Sequence, residues 1–180
     1  MIWWGPRRSG DGRRLCGTVS SGYNFRLIIG CCAMIVYFEN CQDESDPDNW
    51  RAISSANELA ALLDRKRATA PFIAHFSGSS DFRIEIGIGG DFGCVQCSRM
   101  DDKPPYLMAV SHRPPMKRGY IEFLCGGTPT PIGTRNILTF DEMKSVVLDF
   151  LETGGRSDKV SWPLVGPGDV KEDAERPPEQ

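Results

Sequence analysis

The chain has 180 residues, of which 40% are hydrophobic and 25% are charged. These values are typical of a single soluble globular domain and exclude a collagen, a coiled coil and a wholly disordered chain. The 21 basic and 24 acidic residues give a net charge of −3, which is too balanced for a typical nucleic-acid-binding protein.

The charge changes sign near residue 33. Residues 1–33 contain five arginines and one aspartate, a net charge of +4, whereas residues 34–180 contain 16 basic and 23 acidic residues, a net charge of −7. We interpret residues 1–33 as a basic leader, either a disordered tail or an upstream extension, with Met34 as the functional start. The acidic body suits a partner with a positive face, although on charge alone a solvated surface is the simpler interpretation.

The predicted body, residues 34–165, begins with an apolar strand over 34–39, followed by an acidic loop over 40–49. A capping-box pattern at 55–58 and an apolar stripe at helical spacing then predict a helix that ends near residue 67.

The middle of the body is typical of an antiparallel meander. Residues 82–89 alternate between apolar and other side chains, which predicts a strand with one buried and one solvated face. The glycine-rich segment 89–93 predicts the turn of a hairpin. Five strands are predicted in this part of the body, over residues 72–76, 82–88, 94–100, 106–110 and 120–125.

The last third predicts one more helix and a final strand. A second capping box at Thr139–Glu142 begins the helix, and Gly154 supplies a left-handed stop. Alternation at Val160, Trp162 and Leu164 predicts a short strand on the core, and residues 166–180 predict a disordered tail. The fold class is α+β, an antiparallel β-meander sheet of about six strands with two helices packed on it.

The seven cysteines have no regular spacing, which argues against a disulfide framework and favours a reducing compartment. Cys94 and Cys97 form a CxxC pattern, but no second pair completes a zinc site. A redox CxxC opens a helix, whereas this one lies in a predicted strand, where the two side chains point to opposite faces. We therefore favour a structural role, and a redox or metal role remains the alternative.

No catalytic constellation is found in the sequence. His75 lies within a predicted strand and His112 in a predicted surface loop, so neither is favoured as a general base. We expect no catalytic residue, no metal and no cofactor.

Residues 150–162 resemble the C-terminal signature of immunity proteins from bacterial polymorphic toxin systems. The specific family is an α+β group, immunity family one, that is often paired with deaminase toxins. Its pattern is a helix ending in Phe, a Thr-Gly-x-Arg turn and Val-x-Trp. The matching residues are Phe150, Thr153, Gly154, Arg156, Val160 and Trp162. The resemblance covers about residues 34–165 and departs at Pro163, where the family often has Glu.

The resemblance implies a non-enzymatic, cytoplasmic bacterial protein. It would bind and neutralise a cognate toxin domain, of deaminase or nuclease type, by blocking the active site. The implied partner is that toxin domain, with no direct nucleic acid and no membrane. We expect the signature to be structural, because a helix stop and a docked Trp account for it.

Toxins that act on nucleic acid need basic clefts, so acidic loops are the candidate contacts. The candidate toxin-binding residues are Asp43, Glu44, Asp46, Asp48, Asp101 and Asp102. Two other classes stay open: a small enzyme or redox protein that uses Cys94 and Cys97, and a membrane-anchored lipoprotein attached through Cys31.

Overall fold

The computed structural model describes residues 34–101, 103–113 and 119–164. The predicted leader and tail, Asp102 and Cys31 lie outside these residues. Within them the chain forms nine strands, two α-helices and a 3-10 turn at Thr134–Asn136. The strands are β1 (Val36–Asn40), β2 (Ala52–Ile53), β3 (Phe72–Gly78), β4 (Phe82–Gly89), β5 (Phe92–Arg99), β6 (Leu107–Met108), β7 (Tyr120–Cys125), β8 (Thr128–Gly133) and β9 (Leu138–Thr139). The helices are α1 (Ala56–Arg67) and α2 (Phe140–Thr153).

The predicted α+β class with an antiparallel sheet is confirmed. The sheet order is β2-β1-β3-β4-β5-β6, with antiparallel neighbours throughout. The hairpin of β7 and β8 joins β3 through one parallel pair, Phe72 with Leu124, and β9 pairs with β5. The strand count exceeds the predicted six for two reasons. The strands β2 and β9 have only two residues each, and the prolines at 129 and 131 make β8 unlike a typical strand sequence.

Both helices begin and end as their caps predict. The Ser55 hydroxyl accepts a hydrogen bond from the Glu58 amide at 3.3 Å, and Thr139 and Glu142 form a complete capping box. Gly154 adopts φ 66°, the left-handed conformation that ends α2. Both helices pack on one face of the sheet, where their apolar stripes meet β4 and β5. No helix in the described part of the chain is long and apolar enough to cross a membrane.

The opposite face of β4 was predicted to be solvated, and this prediction is wrong. The β7–β8 hairpin covers one end of that face, where the buried ring of Phe123 lies over Gly87. A side chain at Gly87 would meet that ring at 2.8 Å, so only glycine fits. Farther along, Glu85 is only 5% exposed and accepts hydrogen bonds from Arg83 and Gln96.

The predicted strand over 160–164 is only partly formed. Two isolated bridges, from Val110 to Ser161 and from Leu107 to Leu164, tie this segment to the β6 edge. Val160 is buried and Trp162 packs on the core, but Leu164 is 65% exposed, contrary to the predicted core position. Pro163 has no amide hydrogen to donate, which interrupts regular pairing before Leu164.

Candidate partner-binding surface

Residues 41–49 form a braced loop between β1 and β2, here named the acidic loop. The Asn40 side-chain oxygen accepts hydrogen bonds from the amides of Gln42 and Asp43, at 2.9 and 3.2 Å. The Asn49 side chain accepts from the Asn40 amide at 2.6 Å and donates to the carbonyls of Asp43 and Glu44. Two asparagines therefore hold the loop shape through main-chain groups, which is the usual role of Asn in turns.

Two of the predicted contact acids, Asp46 and Asp48, are paired inside the molecule. The buried ammonium of Lys66, in the last turn of α1, lies 2.5 Å from an Asp46 oxygen and 3.0 Å from an Asp48 oxygen. Arg51 and Arg65 also contact Asp48, at 3.3 and 3.2 Å. The acidic loop is thereby fastened to the helix layer.

The charges of this cluster stabilise the ionised carboxylates. Burial opposes ionisation of Asp46, but hydrogen bonds from Asn40 and Lys66 outweigh it and lower the pKa of Asp46 below its usual value. The pKa of Asp48 is lowered in the same way, because hydrogen bonds from Lys66 and Arg65 overcome its desolvation. Both acids are therefore ionised, and both are already paired with the Lys66 ammonium of the same chain.

The exposed part of this region combines acids with aromatic rings. Asp43 and Glu44 are exposed at the loop tip, Trp50 is 64% exposed and Tyr37 is 43% exposed. The Trp50 amide donates to the Phe38 carbonyl at 2.7 Å, which places the Trp50 backbone against β1, the strand that contains Tyr37. We name Tyr37, Asp43, Glu44 and Trp50 the edge patch.

Trp50 also has an unusual backbone. Its φ is +61°, a left-handed conformation that bulky residues rarely adopt. The amides of Trp50 and Arg51 hold it there, through hydrogen bonds to Phe38 and Asp48. The acidic loop thus fixes the backbone that carries this exposed aromatic side chain.

Sequence reasoning had missed both aromatic members of the edge patch. For Tyr37 a signal was present, since it alternates with the buried residues Val36 and Phe38 along β1. For Trp50 the left-handed turn is set by loop contacts that no local pattern encodes.

The second predicted acidic cluster lies near the end of β5. Asp101 accepts a hydrogen bond from the Arg99 guanidinium at 3.1 Å and from the Lys103 amide at 3.3 Å. The Arg99 hydrogen bond is the main cause that lowers the pKa of Asp101. Asp101 is exposed and follows β5, which β3 and β4 separate from β1 in the sheet order.

The family-signature residues are mostly built into the fold. Phe150 and Val160 are buried, and the Trp162 ring nitrogen donates to the Ser157 carbonyl at 2.7 Å. Thr153 donates to the Asp149 carbonyl at 2.8 Å, and the Gly154 carbonyl accepts from Ser80 at 2.6 Å. Arg156 is exposed.

The CxxC pair lies in β5, with its two side chains on opposite faces as predicted. Cys97 belongs to the helix-side core, whereas Cys94 lies under the hairpin beside Gly87. Burial raises the pKa of Cys94 to about 12 and that of Cys97 to about 11. Buried thiols with raised pKa values are poor nucleophiles and poor metal ligands, so the geometry favours a packing role.

Comparison with known protein families relates the chain to a described family. The family model described as immunity protein Imm1 matches residues 48–164, a segment that holds both helices and every strand from β2 to β9. No curated protein matches the chain.

Proposed function

The chain belongs to the Imm1 family of immunity proteins, and from that premise we propose that it binds a cognate bacterial toxin domain and neutralises it. The observation that carries the proposal is the family match over residues 48–164. We infer further that the protein is a non-enzymatic inhibitor in the bacterial cytoplasm. Its target is a deaminase or nuclease domain, and inhibition results from covering the active site.

The edge patch is the proposed contact surface. A toxin that acts on nucleic acid presents a basic cleft, to which the carboxylates of Asp43 and Glu44 are complementary. Trp50 supplies the kind of large, rigid side chain that anchors protein interfaces. Asp46 and Asp48 support the patch by fixing the loop to Lys66, while Asp101 and Asp102 form a separate second candidate.

The first experiment tests neutralisation itself. We expect the gene directly upstream to encode a large secreted protein with a toxic C-terminal domain, and that domain is the probe. Producing it in a bacterial host should stop growth, and co-production of this chain should restore growth. In vitro, one molar equivalent of the chain should abolish deamination or cleavage of a single-stranded oligonucleotide. Failure of both assays with an active toxin domain would refute the proposal.

A competition measurement tests the blocking of the active site. If the chain covers the substrate cleft, excess oligonucleotide should slow its binding to the toxin domain in proportion to substrate occupancy. Binding that is indifferent to saturating oligonucleotide would place the contact outside the cleft.

The charge of the edge patch is tested by Asp43→Asn with Glu44→Gln. We expect the association rate to fall about three- to tenfold at low salt, and the difference to shrink at about 0.5 M salt, where charges are screened. Glu152→Gln, an exposed acid at the end of α2, is the matched control and should leave the rate unchanged. If only Asp101→Asn with Asp102→Asn slows association, the second cluster is the contact.

The aromatic anchor is tested by Trp50→Gly. Glycine accepts the left-handed backbone without strain, so the fold should be retained. Loss of an interface anchor should raise the dissociation rate about tenfold or more. An unchanged dissociation rate would remove Trp50 from the interface.

A further inference from the structure

Two cysteines from distant parts of the chain meet beside the acidic loop. Cys41 follows the last residue of β1, and Cys125 is the last residue of β7. Their side chains share a hydrogen bond, and both are half-buried thiols that form no disulfide. They differ in this from Cys94 and Cys97, which are buried on opposite faces of β5 and cannot meet.

The backbone holds the two cysteines in place on both sides. The Gly126 amide, one residue after Cys125, donates to the Cys41 carbonyl at 2.9 Å. The next amide, of Gly127, donates to the side-chain oxygen of Gln42 at 2.9 Å. On its other side Cys41 donates its amide to the Ile73 carbonyl at 3.0 Å. A disulfide requires close approach of two main-chain segments, and these contacts already supply it.

We propose that Cys41 and Cys125 are a reversible disulfide site that joins the acidic loop to the β7–β8 hairpin. The oxidant is a low-molecular-weight disulfide, for which glutathione disulfide is the probe. One cysteine loses its proton to solvent and attacks the probe, which forms a mixed disulfide and releases one glutathione thiolate. The second cysteine, also deprotonated, attacks the protein sulfur of that mixed disulfide and releases the second glutathione. Each released thiolate takes up one proton, so two protein thiols are oxidised and one glutathione disulfide is reduced to two thiols.

The site reacts slowly at neutral pH. The hydrogen bond that the protonated Cys41 thiol shares with Cys125, followed by burial, raises the pKa of Cys41, so little thiolate is present. We therefore expect the rate of disulfide formation to rise with pH, by up to about tenfold per unit while the attacking thiol remains mostly protonated. This inference goes beyond the proposed toxin-binding role and does not depend on it.

The test uses the full chain with Cys16, Cys31 and Cys32 replaced by Ser, which leaves the four cysteines of the described fold. The folded protein is incubated with glutathione disulfide at a pH of about 8.5, where ordinary thiols begin to ionise. We expect a product that has lost two hydrogen atoms in mass, and a proteolytic map in which the peptides of Cys41 and Cys125 are linked. Dithiothreitol should reverse the change.

Two single variants make the result specific. Cys125→Ser should stop at one glutathione adduct on Cys41, whereas Cys94→Ser, a matched change in β5, should still give the linked product. The disulfide closes a loop of about 85 residues, so the oxidised protein should melt on the order of 10 °C higher. Separate glutathione adducts on both cysteines, a linkage through Cys94 or Cys97, or no reaction at all would each overturn the proposal.

Discussion

His75 is a half-buried titratable residue at the centre of β3, on the sheet face away from the helices. Its side chain is 19% exposed and lies 3.9 Å from a Glu39 oxygen, which favours the protonated imidazole. Burial, reinforced by the nearby Arg83 charge, prevails and lowers the pKa of His75 from 6.5 to about 4. His75 is therefore neutral in the folded protein at pH 7.

The depressed pKa predicts a pH-dependent stability. Between pH 6.5 and 4 the unfolded chain binds the proton that the folded chain rejects, so the free energy of unfolding falls as the pH falls through this window. The full loss is about 3 kcal/mol. Urea unfolding of His75→Gln should show a flatter profile over this window. His112→Gln, a change at an exposed histidine, should retain the wild-type profile, and an unchanged profile in His75→Gln would contradict the assignment.

Trp162 tests whether the family signature is structural. The ring packs on the core and donates to the Ser157 carbonyl at 2.7 Å, but it is only partly buried. Trp162→Ala should lower the free energy of unfolding by about 2–3 kcal/mol, less than for a fully buried Trp. Trp162→Phe keeps the packing and loses the hydrogen bond, so about 1 kcal/mol is expected. Unchanged melting of Trp162→Ala with lost toxin binding would instead make Trp162 an interface residue.

At the scale of elements, local signals predicted the helices well and the sheet incompletely. Capping boxes and a glycine stop depend on neighbouring residues, so both helices begin and end where the sequence predicts. The covered face of β4 depends instead on Phe123, more than thirty positions away in the chain. The edge patch is equally hard to predict from the sequence. Its loop is held by the pairing of Asp46 with Lys66, which joins the loop to the end of α1. The high local density of acidic residues identifies the acidic loop in the sequence, but only the fold distinguishes its exposed acids from its paired ones.

The fastening of the acidic loop to α1 gives a stability prediction. Lys66→Met leaves the buried Asp46 carboxylate without its cation, which should lower the free energy of unfolding by about 3 kcal/mol. Adding Asp46→Asn removes the uncompensated charge and should restore part of that loss. The measurement is a double-mutant cycle by urea unfolding.

The matched control is Lys144→Met, which breaks the more exposed pair of Lys144 with Asp64. A pair of this kind contributes about 0–1 kcal/mol. If Lys66→Met were no more destabilising than Lys144→Met, the buried pair would not be what holds the loop.

At the scale of the whole molecule, the charge is unevenly distributed between the leader and the body. Residues 34–180 carry −7, and the leader of +4 reduces the total to −3. Long-range steering toward a basic partner depends on the total field, while the strength of the final contact depends on the few groups at the interface. The charge of the leader should therefore affect the rate of association, whereas folding should depend on the body.

Deletion of residues 1–33 tests this separation. The core described here begins at Met34, whose amide donates to the Leu151 carbonyl at 3.2 Å, and the family match begins at residue 48. We expect the shortened chain to stay soluble and its free energy of unfolding to change by less than about 1 kcal/mol. Because the deletion removes positive charge, association with the toxin domain at low salt should be at least as fast as for the full chain, by stopped-flow measurement. Slower association at low salt with the fold intact would mean that the arginines of the leader take part in binding, and insolubility would mean that the leader is part of the folding unit.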